Sequence, residues 1–148
     1  MSKQFDLVRG GLLKFLGEVT EETANKQPQG FNNNILWHAG HVLVAGEKFM
    51  FGYPEKTQHL PLEYGKLFSP GTKPADWSGD VPALSELKAQ LEAQAARIRE
   101  LPEDLFAQKL PFQFPFGNLE TFGDLYGLMI VHEADHAGQM KAMKRILG

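Results

Sequence analysis

Apolar residues recur at helical spacing in four segments of the chain. Phe5, Val8, Leu12, Phe15, Leu16 and Val19 fall three or four apart, which lines one face of a helix from about Gln4 to Lys26. Gln27-Pro28-Gln29-Gly30 stops it. A second helix is expected from about Asn33 to Phe51, with the run Asn32 to Asn34 supplying N-cap candidates. Its apolar set (Ile35, Leu36, Trp37, Val42, Leu43, Val44, Phe49, Met50) is broad, as in a helix buried on most sides. The third helix is expected from about Pro82 to Glu100. Pro82 suits a first turn, and Leu84, Leu87, Leu91 and Ile98 form the stripe. The fourth runs from about Phe122 to Leu147, opened by Thr121 and Asp124, a capping arrangement with an acid in place of the usual Glu.

The connection from about Gly52 to Pro82 has no periodicity and holds Pro54, Pro61, Pro70, Pro74 and Pro82. A stretch this long is either functional or a crossover between distant helices. Phe112 to Gly117 reads as an apolar loop over a bundle end or against a partner, and Phe112, Phe114 and Phe116 are expected to contribute to a homodimer interface. Without a strand pattern or an internal repeat, the expected fold is all-α. It is a four-helix bundle with a long crossover between the second and third helices, one domain over residues 1–148.

Composition narrows the function classes. The chain has 148 residues, enough for one sizeable core, with 43% apolar and 22% charged residues. A net charge of −3 without a basic block argues against nucleic acid or an anionic membrane as partner. There is no cysteine, which excludes disulfides, thiolate ligands and a cysteine nucleophile, and fits a reducing cytoplasm. Met1 to Asp6 is polar and mixed in charge, unlike a signal peptide, and no apolar run reaches the roughly 20 residues that span a bilayer. A cytoplasmic location is expected.

Candidate chemistry lies in the histidines. Of the five, His38, His41, His132 and His136 fall on expected helices and His59 falls in the connection. The inward stripe of the fourth helix reads Phe122, Leu125, Met129, His132, His136, Gln139, Met143, Leu147. At ~100° per residue, His132 and His136 stand ~40° apart around the helix and one turn apart along it. Imidazoles so placed can chelate one ion. A lone core histidine is ordinarily satisfied by a hydrogen bond; two at chelating spacing on an apolar stripe carry a desolvation cost that a metal offsets. His38 and His41 are ~60° apart on the second helix, and spacing does not choose between them.

Three other readings use the same residues. His132-Glu133-Ala134-Asp135-His136 is a literal His-Glu-x-x-His, the zinc peptidase pattern. Such peptidases commonly take a third ligand from downstream, yet no His, Asp or Glu follows His136, and no strand is expected to hold a peptide. Glu133 and His136 form one Glu-x-x-His unit of a di-iron bundle, but no second unit exists. Nothing positive favours haem.

Asn34-Ile35-Leu36-Trp37 with His41 four residues after the Trp resembles the second helix of the DinB-like superfamily, and His132-x-x-x-His136-x-Gly138-Gln139 resembles its fourth-helix signature. Gly71-Thr72-Lys73-Pro74 before the third helix is also similar to that family. The resemblance covers essentially the whole chain. It implies His41, His132 and His136 as ligands of a divalent ion, typically zinc or nickel, with no ligand role for His38. It also implies a four-helix bundle, often homodimeric. Some relatives are transferases or isomerases that use bacillithiol, mycothiol or another low-molecular-weight thiol.

Three neutral imidazoles leave an ion with open positions, as in catalytic rather than structural sites. The expectation is a metal-dependent transferase that activates an external thiol for an electrophilic substrate. A hydrolase in which the metal activates water, and a non-enzymatic dimer that binds a metal or small ligand, stand as alternatives. Glu133, Asp135, Tyr126 and Gln139 are candidates for substrate contact or ligand support, although Glu133 and Asp135 fall off the inward stripe and read as solvated.

Overall fold

The computed structural model describes residues 2–53, 56, 57 and 59–148; Met1 of the N-terminal segment and Pro54 of the connection lie outside the described residues. Among the described residues six α-helices follow in order: α1 (Lys3–Gly17), α2 (Glu21–Asn25), α3 (Ile35–Phe51), α4 (Glu63–Phe68), α5 (Leu84–Arg99) and α6 (Phe122–Leu147). None of the described helices is long and apolar enough to cross a membrane.

Local chemistry accounts for the boundaries. Ser2 caps α1 by accepting from the N–H groups of Gln4 and Phe5. The first segment does not continue to Lys26. It ends at Gly17, the chain extends at Thr20, and the Thr20 hydroxyl caps a separate short helix by accepting from Thr23 N–H. Asn34 caps α3 through Trp37 N–H. Helix α5 starts just after Pro82, at Leu84, and the Glu21 carboxylate accepts from the N–H groups of Leu84 and Ser85. A carboxylate from α2 thus caps a helix that has no capping side chain of its own. The Thr121/Asp124 capping box opens α6 as expected.

Helices α1 and α3 each pack against both α5 and α6. Leu43 and Glu47 on α3 meet Gln94 and Arg97 on α5 in the same chain order, so these neighbours run parallel. Parallel neighbours require a connection that returns along the bundle, and this is what the long segment after α3 provides. It is not featureless: α4 and a short 3₁₀ turn at Pro74–Asp76 fold inside it, and Tyr64, Leu67 and Phe68 are buried.

One apolar cluster joins Leu12, Leu16, Leu36, Leu43, Phe68, Leu87, Leu91, Met140 and Met143; a second joins Phe5, Met50, Phe51, Ile98, Leu125 and Met129 at the other end. Phe112 and Phe114 are half-buried against the second cluster, whereas Phe116 is exposed.

Candidate metal centre

The α3–α6 seam brings three of the histidines together. His132 Nε2 lies 3.1 Å from His41 Nε2 and 3.1 Å from His136 Nε2. The three form a group whose ligand atoms all lie within 4.8 Å of one another, the sole such group of metal-binding residues among the described residues. His41 is buried, while His132 and His136 are half-buried, so the cluster opens toward solvent on the α6 side. His38 stands beside it with Nδ1 2.8 Å from His136 Nδ1 and Nε2 3.0 Å from Asn33 Oδ1. His59 is remote: it is exposed, and its backbone N–H donates to Glu47.

The position of His41 is set from two sides. Its Nδ1–H donates to the Phe68 carbonyl at 2.7 Å, which leaves a lone pair on Nε2 toward the other imidazoles. Its ring stacks on Trp37, with centroids 4.7 Å apart and planes 9° from parallel. Trp37 in turn donates from Nε1 to the Thr72 hydroxyl. The Phe68 carbonyl comes this close because residue 40 is glycine. A Cβ there would penetrate the Phe68 ring. The connection therefore supplies a hydrogen-bond acceptor behind one imidazole and anchors the indole beside it.

All four imidazoles are held neutral. Burial, then repulsion from the neighbouring imidazoles, lowers the pKa of His136 to about 3. His132 and His38 are each lowered to about 4 by burial and by His41, with Asp135 opposing the shift. His41 is lowered by burial against the opposing effect of its bond to Phe68. A neutral imidazole keeps one lone pair, which is what a metal ligand requires.

These residues fit a divalent ion. Imidazole nitrogens held at about 2.0–2.1 Å around a tetrahedral ion stand ~3.4 Å apart, close to the 3.1 Å from His132 Nε2 to each of His41 Nε2 and His136 Nε2. The set is all imidazole, without sulfur or carboxylate, which suits zinc, nickel, copper or iron.

The neighbouring candidates go elsewhere. Glu133 is 1% exposed, not solvated. It accepts from Arg9 Nε at 2.8 Å and from Arg9 Nη2 at 2.7 Å, a bidentate pair between α6 and α1. The His-Glu-x-x-His string therefore places its acid away from the histidines, and the peptidase role for Glu133 has no geometric support. Tyr126 packs against Phe5 and Phe106 in the second apolar cluster. Asp135 is exposed and accepts from Gln139 Nε2 at 3.3 Å, on the outer side of the turn that carries His132 and His136.

A family model described as the DinB superfamily matches residues 4–140. The chain belongs to the DinB superfamily. A crystal structure titled as the conserved protein of locus from Enterococcus faecalis aligns with this DinB chain with a TM-score of 0.66 at 15% identity, covering 97% of this chain and 92% of that one. That likeness concerns the fold. No curated protein matches the chain. Within this DinB fold, the three histidines that the family resemblance picked out are the three whose Nε2 atoms converge. Sequence reasoning missed Asn33, Phe68 and Arg9. Only Gly40, a glycine in the middle of an apolar helix, carried a signal of the close approach behind His41.

Proposed function

We propose that His41, His132 and His136 hold one divalent cation, zinc or nickel by preference, and that the protein is a metal-dependent transferase for a low-molecular-weight thiol. The observation that carries this is the convergence of three neutral imidazoles, with His132 Nε2 3.1 Å from both His41 Nε2 and His136 Nε2 and the group half open to solvent. When bound, such an ion would supply the positive charge and open position that lower the pKa of an incoming thiol.

The chain's own residues would do the rest. Three uncharged ligands subtract nothing from the ion's charge. The stacked Trp37 shields His41 from water on one side. Phe49, whose ring stands edge-on to His132 at 6.3 Å, and Phe114 beyond it form an apolar wall toward the second cluster. Asp135 and Gln139 mark the solvent rim, where a polar substrate would be met. The absence of cysteine means that any sulfur nucleophile is borrowed. Of the three phenylalanines expected at a homodimer interface, Phe112 and Phe114 are half-buried against the chain's own second cluster, and the exposed Phe116 is the one left to meet a second copy.

Titration of physiological small thiols into the cobalt-substituted protein tests the transferase reading. A new sulfur-to-metal charge-transfer band at millimolar thiol or below is the expected result. No spectral change with any such thiol would refute thiol activation and move the weight to metal-assisted hydrolysis or to binding without catalysis.

A further inference from the structure

We propose that Asn33 and His38 form a relay that fixes the tautomer of His136, keeping a lone pair on its Nε2, and are therefore positioning residues of the metal centre. The relay builds on the ligand assignment above but concerns protons that are present with or without an ion. Asn33 Oδ1 can only accept, so the 3.0 Å contact requires the proton of His38 to sit on Nε2. A neutral His38 protonated on Nε2 has its lone pair on Nδ1. The 2.8 Å contact between His38 Nδ1 and His136 Nδ1 can then be bonded only if His136 donates from Nδ1. His136 protonated on Nδ1 carries its lone pair on Nε2, the atom 3.1 Å from His132 Nε2. Each step allows one direction, because a neutral imidazole has one donor and one acceptor.

The surroundings are built to hold this arrangement. His38 is 1% exposed, and the edge of Trp37 packs against its ring at 5.2 Å and 85°. The relay parallels the support of His41, whose Nδ1–H is fixed by the Phe68 carbonyl. That acceptor is backbone and cannot turn around. Asn33 can: with its amide reversed it would donate to His38, the chain of protons would run the other way, and His136 would aim an N–H at the cluster. Position 33 is thus the control point, and an aspartate there removes the reversed option.

Nitrogen NMR of the full-length, metal-free protein with ¹⁵N-labelled histidine, near neutral pH, reads these tautomers directly. The expected result is His136 protonated on Nδ1 and His38 protonated on Nε2. His38→Leu should shift His136 toward Nε2 protonation and weaken zinc binding about 10- to 100-fold while one ion per chain still binds at excess metal. His38→Gln, whose side-chain oxygen can accept from His136, should recover most of the affinity, and Asn33→Asp should keep both tautomer and affinity. His136 protonated on Nε2 in the unaltered protein would overturn the relay, as would His38→Leu binding zinc as tightly as the parent. Failure of the unaltered protein to bind zinc would sink the ligand assignment instead, and the tautomer spectrum of the same sample would still decide the relay.

Discussion

Two sets of buried polar side chains lie side by side in the bundle, and α6 gives adjacent residues to both: His132 to one, Glu133 to the other. The set around Glu133 is closed. Arg9, 0% exposed, binds Glu133 through two nitrogens, the Leu91 carbonyl and the Gln94 side-chain oxygen. Gln94 donates to the Leu43 carbonyl and to Glu47, which also pairs with Arg97. Two cations face two carboxylates, with donors and acceptors matched across α1, α3, α5 and α6. The histidine set differs in kind. It contains no charge, its pKa values are driven down by burial, and the nitrogens of three rings point at one another. The contrast separates two reasons for burying polarity. A network that satisfies itself holds helices in register, whereas lone pairs aimed at a common point define a place for a cation. Adjacency in the sequence does not tell the two apart.

The sharpest way to break this comparison is to cut the closed set. Glu133→Leu leaves the Arg9 charge buried without its carboxylate and should cost about 3–5 kcal/mol, read by chemical denaturation. The double variant Arg9→Met/Glu133→Leu should recover much of that loss, since packed apolar residues can replace a buried pair. Metal stoichiometry of the folded fraction should not change. A loss of metal in the folded double variant would mean that the two sets act as one.

A smaller effect is expected where the connection supports the histidines. Gly40→Ala forces Phe68 away from α3 and should cost about 1–3 kcal/mol by overpacking. Because the Phe68 carbonyl fixes His41, the same change should also weaken metal binding, by competition titration. Gly46→Ala is the matched control. It crowds the Gln94 side chain of the closed set, so it should lower stability and leave affinity intact. Equal effects of the two on affinity would contradict the division.

Much of this was legible beforehand, and the reasons for the exceptions are specific. Periodicity located the four long helices because each buries a stripe over several turns. It missed the break between α1 and α2, since Val19 fits the stripe and remains buried while the chain turns at Thr20. It missed α4, whose six residues are too short to show a period. The chelating pair on α6 was readable from spacing. The choice between His38 and His41 was not, because both are buried and both touch the cluster; they differ in which nitrogens meet which partners. The family resemblance made that choice. Glu133 was misread as solvated because α6 is buried on a second face, against α1, which a single stripe drawn toward α3 does not reveal.

The central claim is that the three converging histidines, and no other residues, hold one divalent ion. Zinc titration of the metal-free protein tests it most directly, followed by calorimetry and checked by elemental analysis after dialysis. One equivalent per chain should bind to the unaltered protein and to Arg9→Met/Glu133→Leu. Binding should be lost in His132→Ala/His136→Ala and strongly weakened in His41→Ala, while His59→Ala should match the parent. Stoichiometric zinc retained by His132→Ala/His136→Ala, or none bound by the unaltered protein, would contradict the account.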